Sequence, residues 1–170
     1  MLGSLFRRLT AENAAGPALF EAITALTRQP HWYVEGQVPD TLDGRFAVLS
    51  TVTALVLARI EQFGDEGNPV SVSLTERFIE VMEAEHRELG LGDPTLGKTV
   101  RKLVGSLGRR TALWRDATAG SSDWDEATRS SLYKDEASPD AIRHSAAALR
   151  TFWNGLQQAK LKAFEEGRLQ

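Results

Sequence analysis

Cysteine is absent from this chain of 170 residues. Its absence excludes disulfides, thiol nucleophiles and thiolate metal sites, and it fits a reducing compartment. Long apolar runs are also missing: the longest, residues 46–58, is interrupted by Ser50, Thr51 and Thr53 and is too short to span a bilayer. The N-terminus lacks the apolar core and cleavage site of a secretory signal. We therefore expect a cytoplasmic chain.

The sequence also lacks the alternation of strands and helices that a parallel sheet requires. Hydrophobic residues make up 42% and charged residues 25%, which suits one folded domain of ordinary size. Apolar residues recur at helical spacing along most of the chain. The sequence predicts an all-α fold: a single irregular domain of six to seven helices, covering residues 1–170.

One helix is predicted to lie at the centre of this domain, over residues 41–63. It is apolar almost all round, as expected for a helix that other helices surround. Asp40 or Thr41 is predicted to cap its start, and Gly64 and Gly67 to end it.

The remaining helices are predicted from apolar residues at helical spacing and from helix-capping residues. Predicted helices cover residues 1–9, 17–28, 74–89, 94–116, 123–135 and 138–167, and a loop covers residues 29–40. Ser73 and Glu76 are predicted to form a capping box for the helix over 74–89. Gly90 is predicted to end that helix in a left-handed conformation, and Asp93 and Pro94 to start the next one.

Charge is unevenly distributed, although the net charge is only −3. Residues 76–88 hold five acids, whereas residues 98–115 hold six basic residues and no acid. The helix over 94–116 is therefore a candidate RNA-, ribosome- or anionic-surface-binding module, and the alternative is a solvated charged face. Its candidate partner-binding residues are Lys98, Arg101, Lys102, Arg109 and Arg110.

The first twelve residues form a candidate interfacial helix. Apolar and basic residues share this segment, a combination that suits an anionic membrane surface. The alternative is a helix packed on its own domain or a frayed end. The candidate membrane contacts are Leu2, Leu5, Phe6, Arg7 and Arg8.

Two short motifs suggest chemistry that their surroundings do not support. Residues 92–99 match the letters of a phosphate-binding P-loop, but the segment before them is a charged amphipathic helix and not a buried strand. Glu83 and His86 have the spacing of a di-iron ligand pair, but the motif has no second copy. No nucleophile–base pair is evident. We predict no enzymatic activity, no metal and no cofactor; a P-loop NTPase is the least supported alternative.

Three segments carry a resemblance to a known family. They are V-P-D-T-L-D-G-R-F (Val38–Phe46), L-V-L-A-R-I (Leu55–Ile60) and R-E-L-G-L-G-D-P-T-L-G-K (Arg87–Lys98), the last followed by T-V-R-K-L. In this order and spacing they resemble the ubiquinol–cytochrome c chaperone family. The resemblance covers about Val38 to Asp116, a family-like core over residues 38–116. Arg45 and Asp93 lie in the shared segments and join the candidate partner-binding residues.

The resemblance implies a non-enzymatic assembly factor for the cytochrome bc complex (ubiquinol–cytochrome c reductase). Such a protein holds newly made cytochrome b, an apolar membrane-protein client, near the ribosome and the inner membrane. It implies peripheral membrane contact, on the matrix side if the chain is mitochondrial, and a ribosome or partner subunit as further partners. DNA is not an expected partner.

The chain departs from the family pattern at several positions. Val52 stands where the family commonly has a histidine, and Leu107-Gly108-Arg109-Arg110 stands where it commonly reads F-Y-G-R. Thr99 stands where the family usually has a basic residue. A nucleotide site would need a hydroxyl at this position to bind its magnesium ion, and the family usually lacks one. The match of residues 92–99 to the P-loop pattern therefore looks accidental.

Overall fold

The computed structural model describes residues 2–90 and 92–169, with the side chains of residues 2–14 excluded. These residues form seven α-helices and two short 3-10 helices, joined by turns and loops. No strand occurs among these residues. The prediction of a single all-α domain is therefore confirmed. The α-helices are α1 (Leu2–Thr27), α2 (Leu42–Glu61), α3 (Asn68–Glu88), α4 (Asp93–Thr118), α5 (Trp124–Leu132), α6 (Pro139–Gln158) and α7 (Leu161–Glu165); the 3-10 helices are Pro30–Trp32 and Gly64–Gly67.

Helix α2 lies at the centre, as predicted. Thr41 caps it by accepting a hydrogen bond from the Gly44 N–H at 3.2 Å. Thirteen of its 20 residues are buried, because α1, α3, α4, α5 and α6 all pack against it. Leu55 and Ile60 are completely inaccessible to solvent. Burial of side chains of this size stabilises the fold by about 1.5–3 kcal/mol each.

Helix α1 is continuous where the sequence predicted two separate helices. Pro17 lies inside it and donates no backbone hydrogen bond. The N–H of the preceding Gly16 is instead donated to Ser73 Oγ of α3 at 3.0 Å. A Cβ atom on Gly16 would lie 2.2 Å from the Ser73 carbonyl oxygen, so the absence of a side chain allows the two helices to approach. This tertiary contact holds α1 together across the proline.

The predicted capping box at Ser73 is wrong for a related reason. Helix α3 already begins at Asn68, with Pro69 in its first turn. Ser73 therefore lies inside the helix, where its hydroxyl meets α1 and not the end of its own helix.

The corner between α3 and α4 confirms one predicted cap and corrects the other. Gly90 ends α3 with φ +84°, the left-handed conformation expected of it. The residue that caps α4 is Gly92 and not Asp93. Gly92 is extended, and its carbonyl oxygen accepts the Leu96 N–H at 2.8 Å. Asp93 is therefore the first residue inside the helix.

The C-terminal region is two helices where the sequence predicted one over 138–167. The helix starts where predicted, and Ser138 caps α6 by accepting the Ala141 N–H at 3.2 Å. Ala159 and Lys160 are extended and break the helix. The break is stabilised by Arg59 of α2, which donates hydrogen bonds to the carbonyl oxygens of Leu156 and Ala159 at 3.0 and 3.1 Å.

Helix α5 is shorter than the predicted 123–135. Asp123 caps it by accepting the Glu126 N–H at 2.8 Å. Trp124 and Leu132 are buried as expected. The Trp124 ring packs edge-on against Trp114 of α4, with 4.9 Å between the ring centroids. This contact fixes the outer half of α4 against the rest of the domain.

Candidate functional site

A groove of about 900 Å³ opens between the C-terminal ends of α1 and α3 and the N-terminal half of α2. The loop that joins α1 to α2 forms one wall, and Leu103 of α4 contributes from the far side. The groove brings these four segments together around one concave surface, so it is the candidate binding site.

The lining of this groove is apolar in its floor and at its mouth. Phe46, Leu49 and Leu103 are half-buried in the floor, and Met82 is buried beneath them. At the mouth, the exposed fractions are 66% for Val34, 56% for Leu42 and 62% for Leu89. Among the described residues only one other large aliphatic side chain, Val72, is comparably exposed. An open apolar groove of this kind is typical of a site that binds another apolar segment.

Charged side chains surround the apolar mouth. The Arg45 guanidinium donates a hydrogen bond from Nε to Asp40 Oδ1 at 2.7 Å, and this bond lowers the pKa of Asp40. Arg28, Glu85 and Glu88 also border the groove. Because both signs of charge are present, the rim can orient a ligand, whereas the apolar floor provides the contact area.

The wall made by the loop is held rigidly in place. Tyr33, which lines the groove, donates from its hydroxyl to the Thr27 carbonyl oxygen at 2.9 Å, and burial raises the pKa of Tyr33. Behind it, the indole N–H of Trp32 is donated to the Leu26 carbonyl oxygen at 3.0 Å. Tyr133 reaches from the end of α5 and donates to the Gly36 carbonyl oxygen at 2.6 Å.

Two histidines join the same loop to α6. Nδ1 of His31 lies 3.1 Å from Nε2 of His144, and the His31 ring is tilted against Trp32 with 4.4 Å between centroids. Burial and the neighbouring His144 lower the pKa of His31, whereas Glu35 opposes them. One of these two nitrogens can donate and the other accept, so the contact is a hydrogen bond whose direction depends on the ring tautomers.

The structure separates the residues that the sequence grouped as partner-binding candidates. Arg45 lies in the groove. Asp93 lies at the exposed start of α4, outside the groove. The exposed residues of α4 form a second surface, which we call the α4 stripe and define as Lys98, Arg101, Lys102 and Arg109.

Arg110 differs from its neighbours because it turns inward. It donates to the Ser131 carbonyl oxygen at 3.0 Å and to Ser106 Oγ, and its guanidinium carbon lies 5.9 Å from the centre of the Phe46 ring. Burial lowers the pKa of Arg110. Its contacts within the fold give it a structural role. The candidate membrane contacts Leu2, Leu5, Phe6, Arg7 and Arg8 have side chains outside the described residues.

The positions that depart from the family pattern are also placed. Val52 and Leu107 are both about 2% exposed, so neither can touch a partner from the surface. His86 of the E-x-x-H motif is hydrogen-bonded to its own helix, with Nδ1 2.7 Å from the Met82 carbonyl oxygen. The described residues contain no group of three or more side chains placed to hold a metal ion.

Sequence reasoning missed Val34, Leu42 and Leu89, the residues that make the groove apolar at its mouth. Each is a single aliphatic residue at the end of a different segment, and no periodicity links them. Their exposure could be recognised only once the three segments had been brought together.

Comparison with known proteins places this architecture in a family. The family model described as ubiquinol-cytochrome C chaperone matches residues 34–170. The chain belongs to this family. The match extends beyond the resemblance over residues 38–116, through α5, α6 and α7 to the C-terminus.

A solved structure shares the fold of this ubiquinol–cytochrome c chaperone. The crystal structure of the Cbp3 homolog from Brucella abortus matches with a TM-score of 0.80 and 28% sequence identity, over 98% of this chain and 94% of that one. No curated protein matches the chain. In the described residues, no helix is long and apolar enough to cross a membrane.

Proposed function

We propose that this chaperone of the ubiquinol–cytochrome c family acts without catalysis, by holding an apolar segment of newly made cytochrome b in the groove. The observation that carries the proposal is the exposed aliphatic mouth formed by Val34, Leu42 and Leu89. Contact with an apolar helix of the client would remove this surface from water, and the hydrophobic effect would stabilise the complex.

The shape and chemistry of the groove support a helical occupant. Its walls come from the ends of two helices and the start of a third, with a floor of aromatic and aliphatic side chains. Met82, buried beneath the floor, has a flexible side chain that lets the floor residues above it adjust their packing. The ion pair of Arg45 with Asp40 at the rim can hydrogen-bond the polar end of a client segment, where a membrane helix meets water.

Copurification tests the proposal. The tagged full-length chain is coexpressed with cytochrome b, and the amount of cytochrome b retained is measured. Leu42→Gln combined with Leu89→Gln should lower the retained client about tenfold or more, because both side chains would be buried on binding. Photo-crosslinking from position 34 should label cytochrome b directly.

Val72→Asn is the matched control. Val72 is 55% exposed but does not line the groove, so its replacement should leave client retention unchanged. Equal losses from the groove and control variants would mean that exposed apolar residues bind the client nonspecifically. Full retention in the groove variant would exclude this groove as the site. Nucleotide turnover that depends on Lys98 and Thr99 would contradict the non-enzymatic assignment.

A further inference from the structure

The α4 stripe is a second surface that the groove does not explain. At 100° per residue, its four cationic side chains fall within an arc of about 100° and extend over roughly 16 Å of the helix. All four are exposed. Within the described part of the chain, none of them lies within 4.0 Å of a carboxylate, whereas Arg115 on the same helix pairs with Glu61 at 2.8 Å.

The helix is smooth where these charges lie. Gly105 falls in the middle of the arc, between the basic residues at 101–102 and Arg109. Among the described residues, no atom outside the chain neighbours and the adjoining backbone of α4 lies within 4 Å of a Cβ atom added to the nearby Gly108. The guanidinium groups of Arg101 and Arg109 lie along the helix, near Gly97 and Gly105. The four charges therefore lie along one face of α4, and no bulky side chain lies between them. The acidic residues of α4 are confined to its ends, at Asp93 and Asp116.

We propose that the α4 stripe docks on an anionic lipid bilayer. A one-sided array of cations matches a surface of negatively charged headgroups, and each Lys or Arg near such a surface adds to the attraction. The proposal does not depend on the function assigned to the groove. None of the four stripe residues lines the groove, although Leu103 of its floor directly follows Lys102 in the chain.

The chemistry of the helix favours lipid over single-stranded RNA. Proteins that bind single-stranded nucleic acid combine cations with exposed aromatic rings on which bases stack. The only aromatic residue of α4 is Trp114, which is fully buried. The large hydrophobic residues exposed elsewhere in the described chain are all aliphatic. The stripe thus offers charge without a stacking platform.

Vesicle flotation with the full-length chain tests the proposal. Vesicles of phosphatidylcholine alone are compared with vesicles of phosphatidylcholine and phosphatidylglycerol. The wild-type chain should bind the anionic vesicles preferentially, and added salt should weaken the binding. Lys98→Gln, Arg101→Gln and Lys102→Gln together should lower the partition coefficient on the order of 100-fold. This triple variant should melt like the wild type, since the replaced residues are exposed.

The control variant changes net charge equally at another place. Lys160→Gln, Lys162→Gln and Arg168→Gln replace three exposed cations near the C-terminus and should leave vesicle binding within about twofold of the wild type, because only charges near the surface contribute. Equal losses in the two triple variants would reduce the effect to net charge and overturn the proposal. Unchanged binding in the stripe variant would also overturn it, by assigning the attachment to another segment such as the N-terminus.

An RNA arm separates the two anionic partners. Binding of a single-stranded RNA oligonucleotide is followed by fluorescence anisotropy at the same ionic strength. We expect weak binding, well below the affinity for anionic vesicles. RNA binding that is tighter than vesicle binding and is lost in the stripe variant would overturn the lipid assignment and make the stripe a nucleic-acid surface.

Discussion

Helices α2 and α4 are neighbours of similar importance to the fold, but they face different environments. Most of α2 is buried on all sides. The hydroxyls of its polar residues Ser50 and Thr53 donate hydrogen bonds to carbonyl oxygens of the same helix. Helix α4 has 26 residues, of which only six are buried, and it packs mainly on α2. Helix α2 therefore determines whether the chain folds, whereas much of the surface of α4 is free to bind other molecules.

The largest expected effect comes from the centre of α2. Leu55→Ala removes a fully buried side chain in a helix that five others surround, so we expect a loss of about 2–5 kcal/mol in the free energy of unfolding. Urea denaturation followed by circular dichroism measures it. Val72→Ala, at an exposed aliphatic position of α3, should change stability by no more than about 0.5 kcal/mol. Similar values for the two would contradict the central position of α2.

Two adjacent arginines of α4 lie in different environments, Arg110 turned inward and Arg109 exposed. Arg110→Gln removes a hydrogen bond to the Ser131 carbonyl oxygen and the contact with Phe46, and should cost about 1–3 kcal/mol. The lower part of this range is expected because the Arg110 Nε is buried without a hydrogen-bond partner among the described residues.

Arg109→Gln is the control for Arg110, with the same chemical change one residue earlier. Arg109 is exposed, so its replacement should alter the free energy of unfolding by about 0.5 kcal/mol or less. If both variants lost stability equally, the inward turn of Arg110 would be incorrect.

Local sequence rules predicted the parts of the fold that depend on neighbouring residues. The cap at Thr41, the helix start at Ser138 and the left-handed turn at Gly90 need only the residues beside them. Two of the misplaced helix boundaries lie where distant partners act. Ser73 supports Gly16 of α1 across 57 positions, and Arg59 supports the break after α6 across 97 and 100 positions.

The candidate site was less predictable than the fold for the same reason. Arg45 was predicted as a candidate partner-binding residue from the family segments, and it lies at the rim of the groove. Val34, Leu42 and Leu89 come from three separated segments, so their shared exposure is a property of the tertiary structure. Conversely, Arg110 had the same composition signal as Arg109, and only the packing of α4 on α2 and α5 distinguishes them.

The corner that joins α3 to α4 provides a smaller effect. Gly90 has φ +84°, and apart from its chain neighbours a Cβ atom added there would meet no atom of the described residues within 4 Å, so the backbone conformation dominates the effect of Gly90→Ala. We expect a cost of about 1–2 kcal/mol. Gly108→Ala, inside α4 with equally open surroundings, should have the opposite sign and stabilise the chain by up to about 1 kcal/mol. Thermal unfolding of the pair tests this, and equal signs would contradict it.

The smallest effect concerns the contact that joins the groove wall to α6. Burial and His144 lower the pKa of His31 below its ordinary value of 6.5, and Glu35 only partly compensates. The unfolded chain therefore binds a proton at a higher pH than the folded chain does. Stability from this group is fully present above about pH 6.5, and it is lost as the pH falls through the lowered pKa of the folded state.

The free energy of unfolding between pH 8 and pH 5 should consequently decline towards acid. Asp40 and Glu126 also have lowered pKa values, each through a hydrogen bond from an arginine, but their effect begins closer to pH 4.5 because their ordinary values are 3.8 and 4.5. His144→Gln removes the neighbouring imidazole that lowers the pKa of His31 and leaves the burial, so the decline should become shallower without disappearing. Stability that rises between pH 7 and pH 5, or a slope unaffected by His144→Gln, would contradict the coupling of His31 to His144 that their 3.1 Å contact indicates.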